Sequence, residues 1–136
     1  MKLKAQSEGL AITVICAAVL ARDTLVKLTA NKTVNKGGAD DFVIGRLFNP
    51  AREANGTGTV ETRFKERITI KADGIIAAGD RVKLSSADGD GNQRVKKWVR
   101  QTFDGDGVAT GDPADLILGV CFVGGADAAD VEVLTY

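Results

Sequence analysis

The chain has 136 residues, 44% of them hydrophobic and 26% charged, enough to bury a core and too apolar to stay disordered. Lysine plus arginine balance aspartate plus glutamate at 18 each, so the basic excess that drives phosphate-backbone binding is missing and nucleic acid is excluded as an expected partner. Histidine is absent; with it go the usual general base near neutral pH and the usual activator of a serine or cysteine nucleophile, and the chain reads as a non-enzyme.

In chain order, residues 1–23 (MKLKAQSEGLAITVICAAVLARD) place two lysines ahead of an apolar run from Leu10 to Ala21. The run is shorter than the roughly 20 residues a bilayer crossing needs, so no membrane partner is expected. Two readings compete. In one, residues 1–21 are a signal peptide and the mature protein is a secreted or surface-displayed β-sandwich binding domain. In the other, which Ser7, Glu8 and Gly9 favour by interrupting the basic-to-apolar transition, residues 1–9 are a polar arm and the run opens a single domain at 10–136.

The rest reads as β. DTLVKLTANKTV (23–34) is partly apolar on both faces, as in a strand inside a sandwich or barrel. NKGGADD (35–41) is a turn, FVIGRLF (42–48) a short strand ended by Asn49-Pro50, and AREANGTG (51–58) a loop. TVETRFKERITIKA (59–72) gives the longest strand signal. Val60, Thr62, Phe64, Glu66, Ile68 and Ile70 alternate with Glu61, Arg63, Lys65, Arg67, Thr69 and Lys71, a core face against a charged face that is either solvated or a contact stripe. RVKLSS (81–86) and QRVKKWVRQTF (93–103) flank ADGDGN like a hairpin, and DLILGVCFVG (115–124) and ADVEVLTY (129–136) flank GADA. Short strands punctuated this way predict an all-β fold, a single small sandwich or barrel, jelly-roll-like or a related compact sandwich.

Candidate chemistry is sparse. Cys16 and Cys121 lie 105 positions apart in apolar surroundings, a spacing that fits no zinc knuckle or redox pair, so both read as buried thiols. A disulfide would require their strands to meet. DGDGNQ begins like a calcium loop, with Asp88, Asp90 and Asn92 at alternate positions, but Gln93 and Val99 stand where that loop needs glycine and a bidentate glutamate. The aspartates there and in DGDG (104–107) read as turn residues. An enzyme using Asp88, Asp90, Asp104 and Asp106 with a metal is the weakest alternative. GTG at 56–58 precedes a strand, not a helix, so it is no phosphate cradle.

FVIGRLFNPA (42–51), ITIKADGIIAAGDRVKL (68–84) and LILGVCFVGGADAADVEVLTY (116–136) resemble, in order and spacing, the small capsid decoration (cement) proteins of tailed bacteriophages. In that family an I-x-A-G-D-x-V unit follows a strand with a glycine turn and precedes a terminal G-V strand. The resemblance implies a virion structural protein, made in the host bacterial cytoplasm, that sits on the outer surface of the capsid. Its partners would be the phage major capsid protein and itself, as a homodimer or homotrimer at symmetry axes, with no cofactor. The arm and the loop after Asn49 are then the expected contacts with shell or neighbour, carried by Lys2, Leu3, Lys4, Gln6, Arg52, Glu53 and Asn55, since a terminal tail is ordered only when tied down. Trp98, Phe103 and Tyr136 are the aromatics expected at a subunit interface, with core as the competing placement.

Overall fold

The computed structural model describes residues 11–62 and 66–135, and these are all-β, the only helical turn among them being a 3-10 turn at Ala114–Leu116. Twelve strands occur: β1 Ala11–Cys16, β2 Leu25–Ala30, β3 Thr33–Lys36, β4 Gly45–Asn49, β5 Gly56–Glu61, β6 Arg67–Ala72, β7 Arg81–Ser85, β8 Arg94–Lys97, β9 Thr102–Phe103, β10 Ala109–Thr110, β11 Gly119–Val123 and β12 Asp130–Thr135. They form two compact units. Residues 11–36 and 44–62 make the first; residues 37–43 and 66–135 make the second.

The first unit is a closed barrel in the order β1-β3-β2-β4-β5. Its strands are rich in β-branched residues, and alternation sends Val14, Cys16, Val26, Val34 and Val60 inward with Leu47 and Ala51 to fill the core. The parallel pairing of β1 with β3, Ile15 opposite Thr33, closes the ring. The second unit is a closed barrel in the order β11-β12-β6-β8-β7, filled by Ala72, Ile76, Val82, Leu84, Val95, Val131 and Val133 and closed by a parallel β6–β8 pair. The short β9–β10 ribbon stands apart from both rings.

Strand for strand the rings pair alike, except that the first ring's β2–β3 pairing has a bulge between Leu28 and Ala30 where β7–β8 runs in continuous register. In each, the first strand pairs parallel with the third and antiparallel with the fifth, and the second pairs antiparallel with the third and fourth. The fourth pairs antiparallel with the fifth through a bulge at the same place, between Leu47 and Asn49 in one ring and between Cys121 and Val123 in the other. Loop hydrogen bonds recur as well. Asp23 N–H donates to Leu47 O at 2.8 Å as Gly79 N–H does to Cys121 O at 2.8 Å; Asn55 N–H donates to Cys16 O at 2.7 Å as Ala128 N–H does to Ala72 O at 3.0 Å. The donors share left-handed backbone, φ 69° and 90° in the first pair and 63° in both members of the second. Gly45 and Gly119 are a third equivalence: a Cβ on either would lie 2.3 Å from Glu61 O or 2.2 Å from Leu134 O, so each ring needs glycine where its fourth strand crosses the fifth. The sequence carries the same echo without a gap: Ile12, Thr13, Ala21, Val26, Lys27 and Leu28 recur 56 positions on as Ile68, Thr69, Ala77, Val82, Lys83 and Leu84.

The all-β expectation therefore stands, and the single sandwich or jelly-roll-like barrel is corrected to two closed five-stranded barrels. The cause is at 59–72. Its alternation keeps phase from Val60 to Ile68, yet β5 belongs to the first ring and β6 to the second. Period two reports which face a side chain takes, not which strand its backbone pairs with. For the same reason 23–34, expected as one strand, is the β2–β3 hairpin, turned at Lys32 with φ 55°. Likewise 93–103 divides into β8 and β9, and residues 51–58, read as loop throughout, enter β5 at Gly56. Residues 1–9, expected as the arm, lie outside the described residues.

Candidate functional site

The most concentrated polar cluster belongs to the second unit. Lys83, in the middle of β7, is 3% exposed. Its Nζ donates to Asp40 Oδ1 at 2.8 Å and to Asp112 Oδ1. The other oxygen of Asp112 accepts the Val99 N–H at 2.9 Å, and the Asp112 N–H returns a bond to Val99 O at 2.8 Å. Asp40 sits in left-handed backbone, φ 60°, in a segment fastened by Gln93 Nε2 donating to Gly37 O at 3.0 Å. Burial is the largest single influence on Lys83 and pushes its pKa down. The hydrogen bonds and charges of Asp112 and Asp40 outweigh it, and the pKa ends above its ordinary value. Asp112 mirrors this: burial pushes its pKa up, but the Lys83 and Val99 hydrogen bonds and the lysine charge hold it below the usual carboxylate value. A lysine held protonated is neither nucleophile nor base at neutral pH. The cluster is a clamp that fixes segment 37–43 and the loop around Asp112 onto β7.

Several further charges in this barrel are paired. Ser85 Oγ donates to Asp73 Oδ2, and Arg94 lies 3.5 Å from the same carboxylate. Lys71 pairs with Asp130 at 3.6 Å and Lys97 with Asp80 at 3.4 Å. Of the basic face expected along 59–72, Lys71 is thus engaged, Arg67 and Thr69 are exposed, and Arg63 and Lys65 lie outside the described residues. In the first unit Arg46 donates to Asp23 at 2.9 Å and to Glu61 at 2.7 Å.

The calcium-like loop is a turn. Asp88 Oδ1 accepts the N–H groups of Asp90 and Asn92 at 2.9 and 2.8 Å, and these bonds, with the Asn92 amide on Oδ2, hold the Asp88 carboxyl below its usual pKa. Asp104 repeats the motif with Asp106 and Val108 at 2.9 Å each, and Gly91 and Gly107 supply the left-handed backbone at φ 81° and 77°. Among the described residues no group of three or more His, Cys, Asp or Glu is placed to hold a metal. Cys16 and Cys121 are buried free thiols, as expected; burial and the nearby Asp80 charge push Cys121 above its ordinary pKa, the mark of an inert sulfur.

Of the expected contact residues, Lys2, Leu3, Lys4, Gln6 and Tyr136 lie outside the described residues. Arg52, Glu53 and Asn55 form an exposed loop between β4 and β5, anchored by the Asn55–Cys16 bond and by Gly56 N–H donating to Glu53 O at 3.1 Å. Trp98 is half-buried, its Nε1 donating to Pro113 O at 2.8 Å with the Arg81 guanidinium 5.8 Å from the ring centroid. Phe103, on the β9–β10 ribbon, is 69% exposed. The loop belongs to the first unit and these two aromatics to the second. Among the other exposed apolar side chains that sequence reasoning missed are Val19, Phe48, Ile75 and Phe122. Val19, Phe48 and Phe122 sit within stretches that read as apolar or as strand, Ile75 follows one, and the available signal was their recurrence at matching places in the two halves of the chain. No family model and no curated protein matches this sequence.

Proposed function

We propose that the protein is a capsid decoration protein of a tailed bacteriophage, which binds the outer surface of the assembled shell and cements neighbouring major capsid subunits. The observation that carries this reading is a rigid β scaffold whose clustered charges are matched internally while large apolar side chains face outward, Ile75 at 79% exposure and Phe103 at 69% among them. Outward apolar groups on an ordered frame suit recognition of another protein. Near-zero net charge limits repulsion among closely spaced copies, and many weak contacts on one shell add up to firm attachment. The chain acts as a homodimer or homotrimer at symmetry axes, without cofactor. The secreted-domain alternative requires loss of residues 1–21, which would remove β1 and open the first ring; that supports the capsid reading over it.

Co-sedimentation with genome-free and expanded phage shells tests the proposal. Saturable binding at a symmetry-related number of copies is expected, and no binding to any shell would discard it. Deleting residues 1–9 tests the arm: unchanged occupancy would remove Lys2, Leu3, Lys4 and Gln6 from the contact.

A further inference from the structure

Residues 37–44 connect the third and fourth strands of the first ring, and residues 98–118 connect those of the second. Both connections send a carboxylate to one lysine. Lys83 Nζ donates to Asp112 in the second connection and to Asp40 in the first, the latter at 2.8 Å. The first connection is therefore divided between the units. Lys36 ends β3 and Ile44 N–H donates to Val26 O at 2.9 Å, both in the first unit, while residues 37–43 between them pack as part of the second. They form a strap.

The strap is shaped before it docks. Gly38 N–H donates to Asp41 Oδ2 at 2.8 Å and Asp41 N–H donates back to Gly38 O at 3.3 Å, so the turn holds itself, with Asp40 in left-handed backbone at φ 60°. Gly37 is buried, and its carbonyl accepts Gln93 Nε2 at 3.0 Å. Gln93 and Lys83 thus anchor the strap at two separate points, and a turn already formed gives up little conformational freedom on docking.

A docked strap restricts the chain even when the first ring is open. Without it, an unfolded first ring would hang from the second barrel only through the link to β6; with it, residues 44–66 become a loop closed at both ends. Closing that loop lowers the entropy of the disordered chain and leaves the folded ring unchanged, so the equilibrium moves toward the folded ring, as it does with a cross-link. We infer that residues 37–43 are a non-covalent staple through which Lys83 and Gln93 of the second barrel stabilise the first. A covalent link closing a loop of this length shifts folding on the order of a hundredfold. The Asp40 side chain is exposed, so its hold on the lysine is weaker and the shift is about tenfold. The inference is independent of the decoration reading.

The test uses the full chain and its own thiols. Cys16 is buried in the first core and Cys121 in the second, so each becomes reactive when its own barrel opens. Alkylation with iodoacetamide, followed by peptide mass spectrometry, gives a labelling rate for each cysteine, and its ratio to wild type at the same pH cancels the thiols' intrinsic difference. The variants are Asp40→Asn, nearly isosteric and tolerant of left-handed backbone, and Asp40→Asn with Gln93→Ala; circular dichroism checks that both are folded. Cys16 labelling is expected to rise about tenfold in the first variant and further in the second, with Cys121 rising several-fold less. Cys16 labelled at the wild-type rate in both variants overturns the inference. So does acceleration of Cys16 and Cys121 by the same factor, which would mean that losing the ties weakens the second barrel itself and that no stabilisation passes along the strap.

Discussion

The two barrels share strand order, a bulge on the fourth strand and a crossing glycine, yet differ in where a buried polar clamp stands. In the second barrel Lys83 is buried and holds two carboxylates, Asp112 in the connection between third and fourth strands, residues 98–118, and Asp40 in residues 37–43, which follow β3 in the chain and belong to the second unit. The corresponding lysine of the first barrel, Lys27, is only half-buried, and a charged pair, Arg46 with Glu61, spans β4 and β5 where the second barrel has Val120 and Leu134. The contrast teaches that ring topology is carried by a few backbone requirements and small inward residues. Polar clamps are local additions for whatever connection must be held.

The strictest test of shared topology is Gly45→Ala beside Gly119→Ala. Each new methyl must push into the backbone of the adjoining strand, and each is expected to cost more than about 3 kcal/mol, with matching losses in melting temperature; a tolerated substitution in one ring would break the equivalence. The contrast itself is tested by Lys83→Met, which strands the partly buried Asp112 carboxylate and is expected to cost about 3 kcal/mol, the low end for breaking a buried pair because Asp40 remains solvated. Next in size are Val60→Ala and Val133→Ala, both fully buried on equivalent strands and expected to lose about 2 kcal/mol each by chemical denaturation.

A smaller effect comes from pH. Because the Asp112 pKa is lowered in the folded state, its contribution is present above the ordinary value of 3.8 and is lost as pH falls through the lowered one. Because the Lys83 pKa is raised, its contribution is complete below 10.5 and is lost as pH rises through the raised value. Melting temperature against pH should fall at both ends in the wild type, with both arms shallower in Lys83→Met. Smallest of all is Phe103→Ser, expected within about 0.5 kcal/mol because the ring is exposed; if Phe103 lies at a subunit interface, the oligomer mass measured by light scattering will drop while the melting temperature holds.

Much of this was legible beforehand. The inward face at Val60 follows from alternation, and the aspartate-glycine turns at 88–92 and 104–107 follow from side-chain bonding to backbone. Ring closure was not legible, since the parallel pairs β1–β3 and β6–β8 depend on backbone partners that no period encodes. Nor was the clamp, whose lysine stands 43 positions from Asp40 and 29 from Asp112. The duplication was within reach: ITVICAAVLARDTLVKL aligns without a gap on ITIKADGIIAAGDRVKL. The exposed apolar residues Val19, Phe48, Ile75 and Phe122 become visible only when the halves are laid over one another and burial is known.

Ring closure has a consequence for life at high local concentration. A sheet that ends in an open strand offers its unsatisfied amides and carbonyls to any other strand nearby, and many identical molecules crowded on one surface would zip into aggregates through such ends. Both barrels satisfy their ladders internally, so crowding finds no strand to extend in either ring. Among the described residues the exception is the β9–β10 ribbon, two residues a side and exposed throughout, and any misassembly by strand addition should begin there.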